Sequence, residues 1–148
     1  MDRVQIEELY KKLLESWNQQ DAKKYASCFI DDSRVIGFDG SQMNSKDEIE
    51  SEIGSIFADH QTAAYVSKVR EVRFLNPDVA LLRAVAGMVP PGEKKLNPAA
   101  NAIQSLVAIK NSTGWKIVLF HNTPAQFHGR PEQSEALTRE LQKLVADL

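Results

Sequence analysis

The sequence predicts an α+β fold in which N-terminal helices pack on an antiparallel sheet and one further helix closes the chain. Three observations lead to this prediction. Apolar residues recur at helical spacing over the first third of the chain, they follow the pattern of strands from about residue 62, and helical spacing returns after Pro131. Because the strands follow one another without intervening helices, an α+β arrangement is favoured over repeated βαβ units.

Two helices are predicted before the first strand. In the first helix, apolar residues form one stripe at steps of three and four residues, and they are Ile6, Leu9, Tyr10, Leu13 and Trp17. The segment NQQD interrupts this stripe, and Asp21 is a suitable N-cap for a second, short helix. One face of that second helix is expected to carry Ala22, Tyr25, Ala26 and Phe29.

A short strand and a third helix are predicted next. The segment IDDSRVIGFDG predicts the strand, with Asp31 and Asp32 at a turn and Gly40 at its close. Ser45 and Glu48 have the spacing of a capping box and open the third helix. The buried face of this helix is expected to consist of Ile49, Ile53, Ile56 and Phe57.

Four consecutive strands are predicted at residues 63–75, 78–88, 102–110 and 115–122. Short connections at 76–78 and 111–114 suit antiparallel hairpins, and a Pro-rich loop at 89–98 separates the middle two strands. The last helix is expected over about 131–147, because proline is favoured in the first turn of a helix. Its apolar face would carry Leu137, Leu141, Leu144, Val145 and Leu148.

Length and composition limit the classes of function. The 148 residues predict one domain, 1–148, with its core at about 5–128. A net charge of −2 with interleaved signs argues against a nucleic-acid partner. No apolar run reaches the roughly 18–20 residues that span a membrane, and no signal peptide is visible. The single Cys28 cannot form an internal disulfide, so a cytoplasmic location is expected.

Two of the predicted strands, at 78–88 and 115–122, are apolar on both faces. An antiparallel sheet with one face in water alternates apolar and polar residues instead. The predicted helices are few, and they cover one face of the sheet. We therefore expect a second copy of the chain to cover the other, in a homodimer formed through the sheet face.

The order and spacing of particular residues resemble a known family. These residues are Trp17, Asp21, Tyr25, Phe29, Asp31 and Asp32, the segment 69–87, and Gly114, Trp115, Ile117, Phe120, Asn122 and Thr123. In this pattern the chain resembles the nuclear transport factor 2-like (cystatin-like) superfamily, within it the SnoaL-like proteins, and most closely the SgcJ/EcaC group. The resemblance covers about residues 5–130, so the last helix lies outside it.

The resemblance implies a cone-shaped fold, in which a curved sheet wraps the first helix around a mostly apolar pocket and dimers form through the sheet. It implies no single reaction, because the superfamily includes isomerases, dehydratases, cyclases, hydrolases and association domains. Some SgcJ/EcaC members are described as oxidoreductases, but the chain contains no G-x-G-x-x-G fingerprint. No cofactor is therefore predicted.

Steroid isomerisation, a reaction of this superfamily, needs an aspartate base together with a tyrosine and a protonated aspartate. In this chain the base position falls on Gly37 and the tyrosine position on Leu13. That mechanism is therefore not expected, although Asp39 could act as a displaced carboxylate. No metal site is expected either, because the three histidines are not at ligand spacing and Cys28 has no companion.

Two residues are candidates for chemistry. His121 ends an apolar strand and could exchange a proton near neutral pH, or it could simply hydrogen-bond at the strand end. Strict alternation places it on one face with Trp115, Ile117 and Leu119, and this face either lines the cone or lies in the dimer interface. Asn122 faces the opposite way, so both residues could line one pocket only if a bulge intervened. Arg83 lies within an apolar strand, and we favour an ion pair with Glu71, Asp31 or Asp32 over a role in holding an anionic substrate.

The remaining candidates are expected to line the pocket. They are Trp17, Tyr25, Phe29, Phe38, Gln104, Trp115, Leu119 and Asn122. Two functional hypotheses remain open. The chain could be a cofactor-free isomerase, lyase or hydratase acting on a small hydrophobic or polyketide-like molecule, with His121 as the acid or base and Arg83 or Gln104 orienting the substrate. It could instead be a non-catalytic association or ligand-binding module.

Overall fold

The structure, a computed structural model, describes residues 2–148 and confirms the α+β fold class. Its α-helices are α1 (Asp2–Asn18), α2 (Ala22–Ala26), α3 (Lys46–Asp59) and α4 (Pro131–Gln142). Its strands are β1 (Phe29–Ile36), β2 (Gln42–Met43), β3 (Ala64–Asn76), β4 (Val79–Val89), β5 (Ala102–Asn111) and β6 (Gly114–Pro124). Short 3₁₀ turns lie at Pro98–Ala100 and Val145–Asp147. Across residues 2–148, no helix combines the length and the apolar character needed to cross a membrane.

The six strands form one curved, mixed sheet in the order β2-β1-β6-β5-β4-β3. Neighbouring strands are antiparallel with one exception, because β1 runs parallel to β6. The short connections and the family resemblance predict an antiparallel sheet throughout. The difference arises because β1 is joined to the remaining strands by a crossover that contains β2 and α3. A crossover permits parallel pairing, whereas a tight hairpin does not.

The start of β1 corrects two predictions. Phe29 begins the strand and is buried there, although the sequence analysis placed it on the second helix. Asp31 and Asp32 lie within β1, not at a turn. The register between β1 and β6 shifts between Phe29 and Arg34, and in this irregular stretch both carboxylates stay exposed to solvent.

The predicted helix caps are confirmed. The Asp21 side chain accepts a hydrogen bond from the backbone N–H of Lys24 at 3.0 Å, and the Ser45 hydroxyl accepts one from the N–H of Glu48 at 3.1 Å. These bonds satisfy amide groups that have no partner inside the helix. They fix where α2 and α3 begin.

The concave face of the sheet wraps α1 and holds the main core. The predicted stripe of α1 is confirmed, with Ile6 and Leu13 fully buried against residues of the central strands such as Leu82, Leu106 and Ile117. Trp17 is the half-buried end of the same stripe. Packing of one helix stripe against a curved sheet removes both apolar surfaces from water.

Helix α4 covers one end of the opposite, convex face. Leu137 and Leu141 of α4 pack against Val66, Val85 and Val89, and form a second, smaller apolar cluster. The guanidinium of Arg70 donates two hydrogen bonds of 2.6 Å to Glu140, which ties α4 to β3. The helix ends at Gln142, earlier than the predicted residue 147, and a 3₁₀ turn at Val145–Asp147 follows it.

Helix α4 can approach the sheet this closely because Gly87 has no side chain. A Cβ atom at Gly87 would lie 2.9 Å from Leu96 Cδ2 and 3.2 Å from Leu141 Cδ1. We expect Gly87→Ala to lower the free energy of unfolding by about 1–3 kcal/mol, because the added methyl group overpacks the cluster. Urea denaturation followed by circular dichroism measures this change.

Gly54→Ala, within α3, is the matched control. A Cβ atom at Gly54 would make only an ordinary contact, at 3.7 Å from Ala22 Cβ. Alanine favours the helix by about 0.5–1 kcal/mol over glycine, so this variant should be more stable than the parent. Equal stability of the two variants would contradict the close packing of α4.

Candidate functional site

One extra residue in β6 decides which side chains enter the cone. The register between β5 and β6 shifts at Val107 and Ala108, where Leu119 and Ile117 are the opposing residues. Val118 is therefore a bulged residue, and alternation inverts after it. Trp115 and Ile117 face the core before the bulge, and Phe120 and Asn122 face it afterwards.

The bulge corrects the predicted face of His121. Strict alternation placed His121 with Trp115 and Ile117, whereas the structure places it with Leu119 on the convex face. His121 is exposed there, and its strand partners are Ser105 and Ile36. It does not face the interior of the cone.

Inside the open end of the cone lies a cavity of about 320 Å³. Its walls come from α1, α2, α3, the β1–β2 turn and the ends of the central strands. Most of the lining is apolar or aromatic, and includes Trp17, Tyr25, Val35, Phe38, Met43, Ile53, Met88 and Phe120. The polar side chains that interrupt this apolar wall are Asn122, Tyr65 and, at the rim, Asp39 and Ser41. A concave, mainly apolar cavity with a few polar groups is the usual form of a small-molecule site.

A hydrogen-bonded relay runs from the core to the cavity wall. The Tyr10 hydroxyl donates to Gln104 Oε1 at 2.5 Å, and Gln104 Nε2 donates to Asn122 Oδ1 at 3.3 Å. Asn122 Nδ2 then donates to the hydroxyl oxygen of Tyr65 at 3.3 Å. Gln104 is completely buried, so these partners compensate for the removal of its amide from water.

The two ends of the relay stay protonated at neutral pH. Burial raises the pKa of Tyr65 to about 12, while the hydrogen bond from Asn122 acts in the opposite direction. Burial also raises the pKa of Tyr10. Tyr65 therefore presents a neutral hydroxyl to the cavity, which suits it to hydrogen bonding and not to proton release.

Asp39 behaves differently. The backbone N–H of Ser41 donates to Asp39 Oδ1 at 2.9 Å, and this bond holds the pKa of the carboxyl below its ordinary value. Asp39 is exposed at the rim of the cavity. It is consequently an ionised carboxylate at neutral pH, and a weak base.

The predicted site residues fall into three groups. Trp17, Tyr25, Phe38 and Asn122 line the cavity, and Gln104 lies behind Asn122. Phe29 and Trp115 are buried in the main core. Leu119, His121 and Arg83 lie on the convex face.

Arg83 forms the ion pair that the sequence analysis favoured. Its Nε lies 2.8 Å from Glu71 Oε1 on the neighbouring strand, and both side chains remain partly exposed. Arg83, Ser105 and His121 are successive cross-strand partners in one row of the convex face. The two residues predicted for chemistry thus share a face, but it is the face opposite to the cavity.

Sequence reasoning missed Tyr65. The residue stands at the start of β3, where its register with Met88 of β4 directs it toward the cone. The sequence does carry a signal for this position. Tyr65, Ser67 and Val69 occupy alternate positions of a strand whose intervening residues are charged or face outward, which predicts that they share the inner face.

Within residues 2–148, no group of three His, Cys, Asp or Glu side chains could hold a metal ion.

Comparison with known proteins places these features in a family. A model described as the SnoaL-like domain matches residues 6–125. No curated protein matches the chain. The matched range contains the cone and its cavity and ends before α4.

Solved structures share the fold. A domain with a cystatin-like fold from Nostoc punctiforme is 23% identical, with a TM-score of 0.81, and the match covers 99% of this chain and 93% of that one. A protein from Thiobacillus denitrificans that is named after the calcium/calmodulin-dependent protein kinase type II association domain is 15% identical, with a TM-score of 0.72, over 81% and 94%. A nuclear transport factor 2-like protein from Shewanella oneidensis is 18% identical, with a TM-score of 0.70, over 83% and 99%. These likenesses confirm the predicted fold.

The raised pKa of Tyr65 has a consequence for stability in alkali. The folded protein holds this proton up to about pH 12, whereas an unfolded tyrosine releases it near the ordinary value of 10.0. The stabilisation is therefore complete below pH 10 and is lost as the pH rises through 12. Between pH 10 and 12, Tyr65 should lower the free energy of unfolding by roughly 1.4 kcal/mol per pH unit.

Urea denaturation of the parent and of Tyr65→Phe at pH 9, 10 and 11 measures this effect. The stability of Tyr65→Phe should fall less steeply above pH 10, because phenylalanine has no proton to lose. Tyr10 and Tyr25, whose pKa values burial also raises, remain in both proteins, so some alkaline loss persists. Identical slopes for the two proteins would show that Tyr65 is not shielded from water.

Proposed function

Because the chain belongs to the SnoaL-like domain family, we propose that it is a homodimeric binding protein for a small molecule held in the cone cavity. The ligand would be mostly apolar and would carry one hydrogen-bond acceptor, such as a carbonyl or ether oxygen. The observation that carries this proposal is the relay that ends on the Tyr65 hydroxyl. The size and apolar lining of the cavity fit the remainder of such a ligand.

The direction of the relay supports an acceptor on the ligand. Each donor in the series points toward the cavity, and the Tyr65 oxygen already accepts a hydrogen bond from Asn122. A phenol has one hydrogen to donate. Among residues 2–148, no hydrogen bond donated by the Tyr65 hydroxyl is present. An acceptor on a bound molecule would complete the series.

Binding accounts for the cavity better than catalysis does. Asp39 is the one carboxylate that lines the cavity among the described residues, and its lowered pKa makes it a poor base. Tyr65 holds its proton too tightly to act as an efficient acid near neutral pH. A cofactor-free isomerase, lyase or hydratase remains the second candidate, with Asp39 as the base at the rim. His121 and Arg83, on the convex face, are not available to that reaction.

The role of Tyr65 can be tested with two probes that differ only in an acceptor. Indan-1-one has a carbonyl group, and indane has nearly the same shape without it. We expect the parent protein to bind indan-1-one about 2–10 times more tightly than indane, the gain of one net hydrogen bond. In Tyr65→Phe the two affinities should become equal. Isothermal titration calorimetry measures both.

Phe38→Leu is the matched control for this experiment. Phe38 lines the same cavity but has no polar group, so its truncation should weaken both probes together and preserve their ratio. A ratio near one in the parent protein would remove the basis for an acceptor-bearing ligand. Conversion of indan-1-one or related ketones by the parent but not by Asp39→Asn would favour the enzyme instead.

The convex face supports the dimer in the proposal. Leu81, Val107 and Leu119 are successive cross-strand partners and are all half-exposed in the single chain. Helix α4 packs on the other end of this face and leaves the row uncovered. A contiguous apolar row that a second copy could cover is typical of a symmetric dimer interface.

Leu119→Glu tests the dimer. A carboxylate in this row would be buried without a partner in the dimer, so we expect the variant to sediment as a monomer at a micromolar concentration at which the parent is a dimer. Val4→Glu is the control, because Val4 is 53% exposed but lies on α1, which packs against the concave face. A monomeric parent protein would refute the proposed interface.

Assignment to the SgcJ/EcaC group rests on the motif residues of the sequence, from Trp17 through Asn122. A cytoplasmic location is supported by Cys28, a buried free thiol that fits a reducing compartment. An association domain, the name carried by the Thiobacillus denitrificans neighbour, would use the same convex row without a ligand. Binding of indan-1-one through Tyr65 would distinguish a ligand-binding protein from such an association domain.

A further inference from the structure

We propose a second small-molecule site, in the groove between α4 and the convex face of the sheet, that takes a small carboxylate with an apolar body. The groove has a volume of about 410 Å³ and lies on the opposite side of the sheet from the cone cavity. Its walls combine apolar side chains with the guanidinium groups of Arg70 and Arg83. The proposal does not depend on a ligand in the cone.

The charges in the groove leave one cation in excess. Glu140 accepts both hydrogen bonds of the Arg70 guanidinium and also lies 3.6 Å from Lys68 Nζ. Glu71 accepts a hydrogen bond from Arg83 Nε, and the charge of Arg73 also acts on this carboxylate. The charged residues that line the groove itself are Arg70, Arg83 and Glu140, two cations and one carboxylate, although the whole chain has a net charge of −2. An anion entering the groove meets a local field of the opposite sign.

Arg83 is the group that can hold this anion. Its Nε is engaged by Glu71, but within residues 2–148 its two Nη atoms donate no hydrogen bond. The side chain is 53% exposed. Two neighbouring guanidinium N–H groups match the two oxygens of a carboxylate. Arg70 is not available in the same way, because both of its Nη atoms already donate hydrogen bonds to Glu140.

The rest of the groove selects an apolar body. Val85 and Ile103 line the sheet side, Leu137 lines the helix side, and Phe127 lies on the segment that joins β6 to α4. The backbone of Phe127 has a φ of 44°, in the left-handed region that a bulky residue rarely adopts. This conformation costs about 1–2 kcal/mol, and packing of the ring against the apolar cluster offsets it.

These features define the class of ligand. One free guanidinium end suits a single carboxylate, whereas a polyphosphate or a nucleic acid needs several cations. The apolar walls suit an aliphatic chain or a ring, which a small hydrophilic acid lacks. A short fatty acid or an aromatic monocarboxylic acid has both parts.

Octanoate is a suitable probe, and 1-octanol is its uncharged counterpart. By isothermal titration calorimetry on the full chain at neutral pH, we expect octanoate to bind more tightly than 1-octanol. Arg83→Gln should weaken octanoate about 10-fold or more and leave 1-octanol unchanged, because it removes a charge-assisted contact. Arg73→Gln is the control of equal charge, since Arg73 lies on β3 but does not line the groove. Its octanoate affinity should stay within twofold of the parent.

Ala136→Trp identifies the place of binding. Ala136 is an exposed residue of α4 that lines the groove, so tryptophan should fill it and abolish binding of both probes without disturbing the core. An excess of indan-1-one should not displace octanoate, because the two sites lie on opposite sides of the sheet. Thermal unfolding of each variant confirms that it is folded. Absence of octanoate binding to the parent, displacement by indan-1-one, or equal loss in Arg83→Gln and Arg73→Gln would overturn the proposal.

Discussion

The single bulged residue in β6 is the constraint on which the rest of the structure depends. A strand has a period of two, so one inserted residue exchanges the faces of every residue that follows it. Because Val118 is bulged, the amide of Asn122 enters the cone, and the imidazole of His121 leaves it. Without this insertion the imidazole of His121 would enter the cavity. The relay from the core to Tyr65 would then lack Asn122, which joins Gln104 to Tyr65.

The relay in turn explains why polar groups persist in an apolar cone. A buried amide without partners costs several kilocalories per mole, so Gln104 can be fully buried only if both its oxygen and its nitrogen are bonded. Tyr10 and Asn122 supply these partners from α1 and β6. The bonds connect elements that are distant in the sequence. They fix the position of Tyr65 at the cavity wall as part of the core and not as a mobile surface group.

The sequence predicted the features that local rules determine. The Asp21 and Ser45 caps, the stripe of α1 and the four long strands were recognised because each depends on residues a few positions apart. The parallel pairing of β1 with β6, the exposed Asp31 and the inverted face of His121 depend on register between distant strands. No local pattern marks a bulge at Val118, since the residues on both sides of it are apolar. The apolar part of the cavity and the amides of Asn122 and Gln104 were therefore predicted, whereas Tyr65 was missed.

Helix α4 rests on a smaller core than the rest of the molecule. A small apolar cluster, the contacts of Glu140 with Arg70 and Lys68, and hydrogen bonds of Thr138 and Gln142 hold it, while the cone is closed by a separate and larger core. Detachment of α4 would uncover Val66, Val85 and Val89 without breaking the sheet or the relay. Such a segment behaves as its own cooperative unit, with a local opening free energy below that of global unfolding. Amide protons of α4 will then exchange with solvent ahead of those in the central strands. On the timescale of hydrogen exchange, the convex side will be the more dynamic half of the molecule.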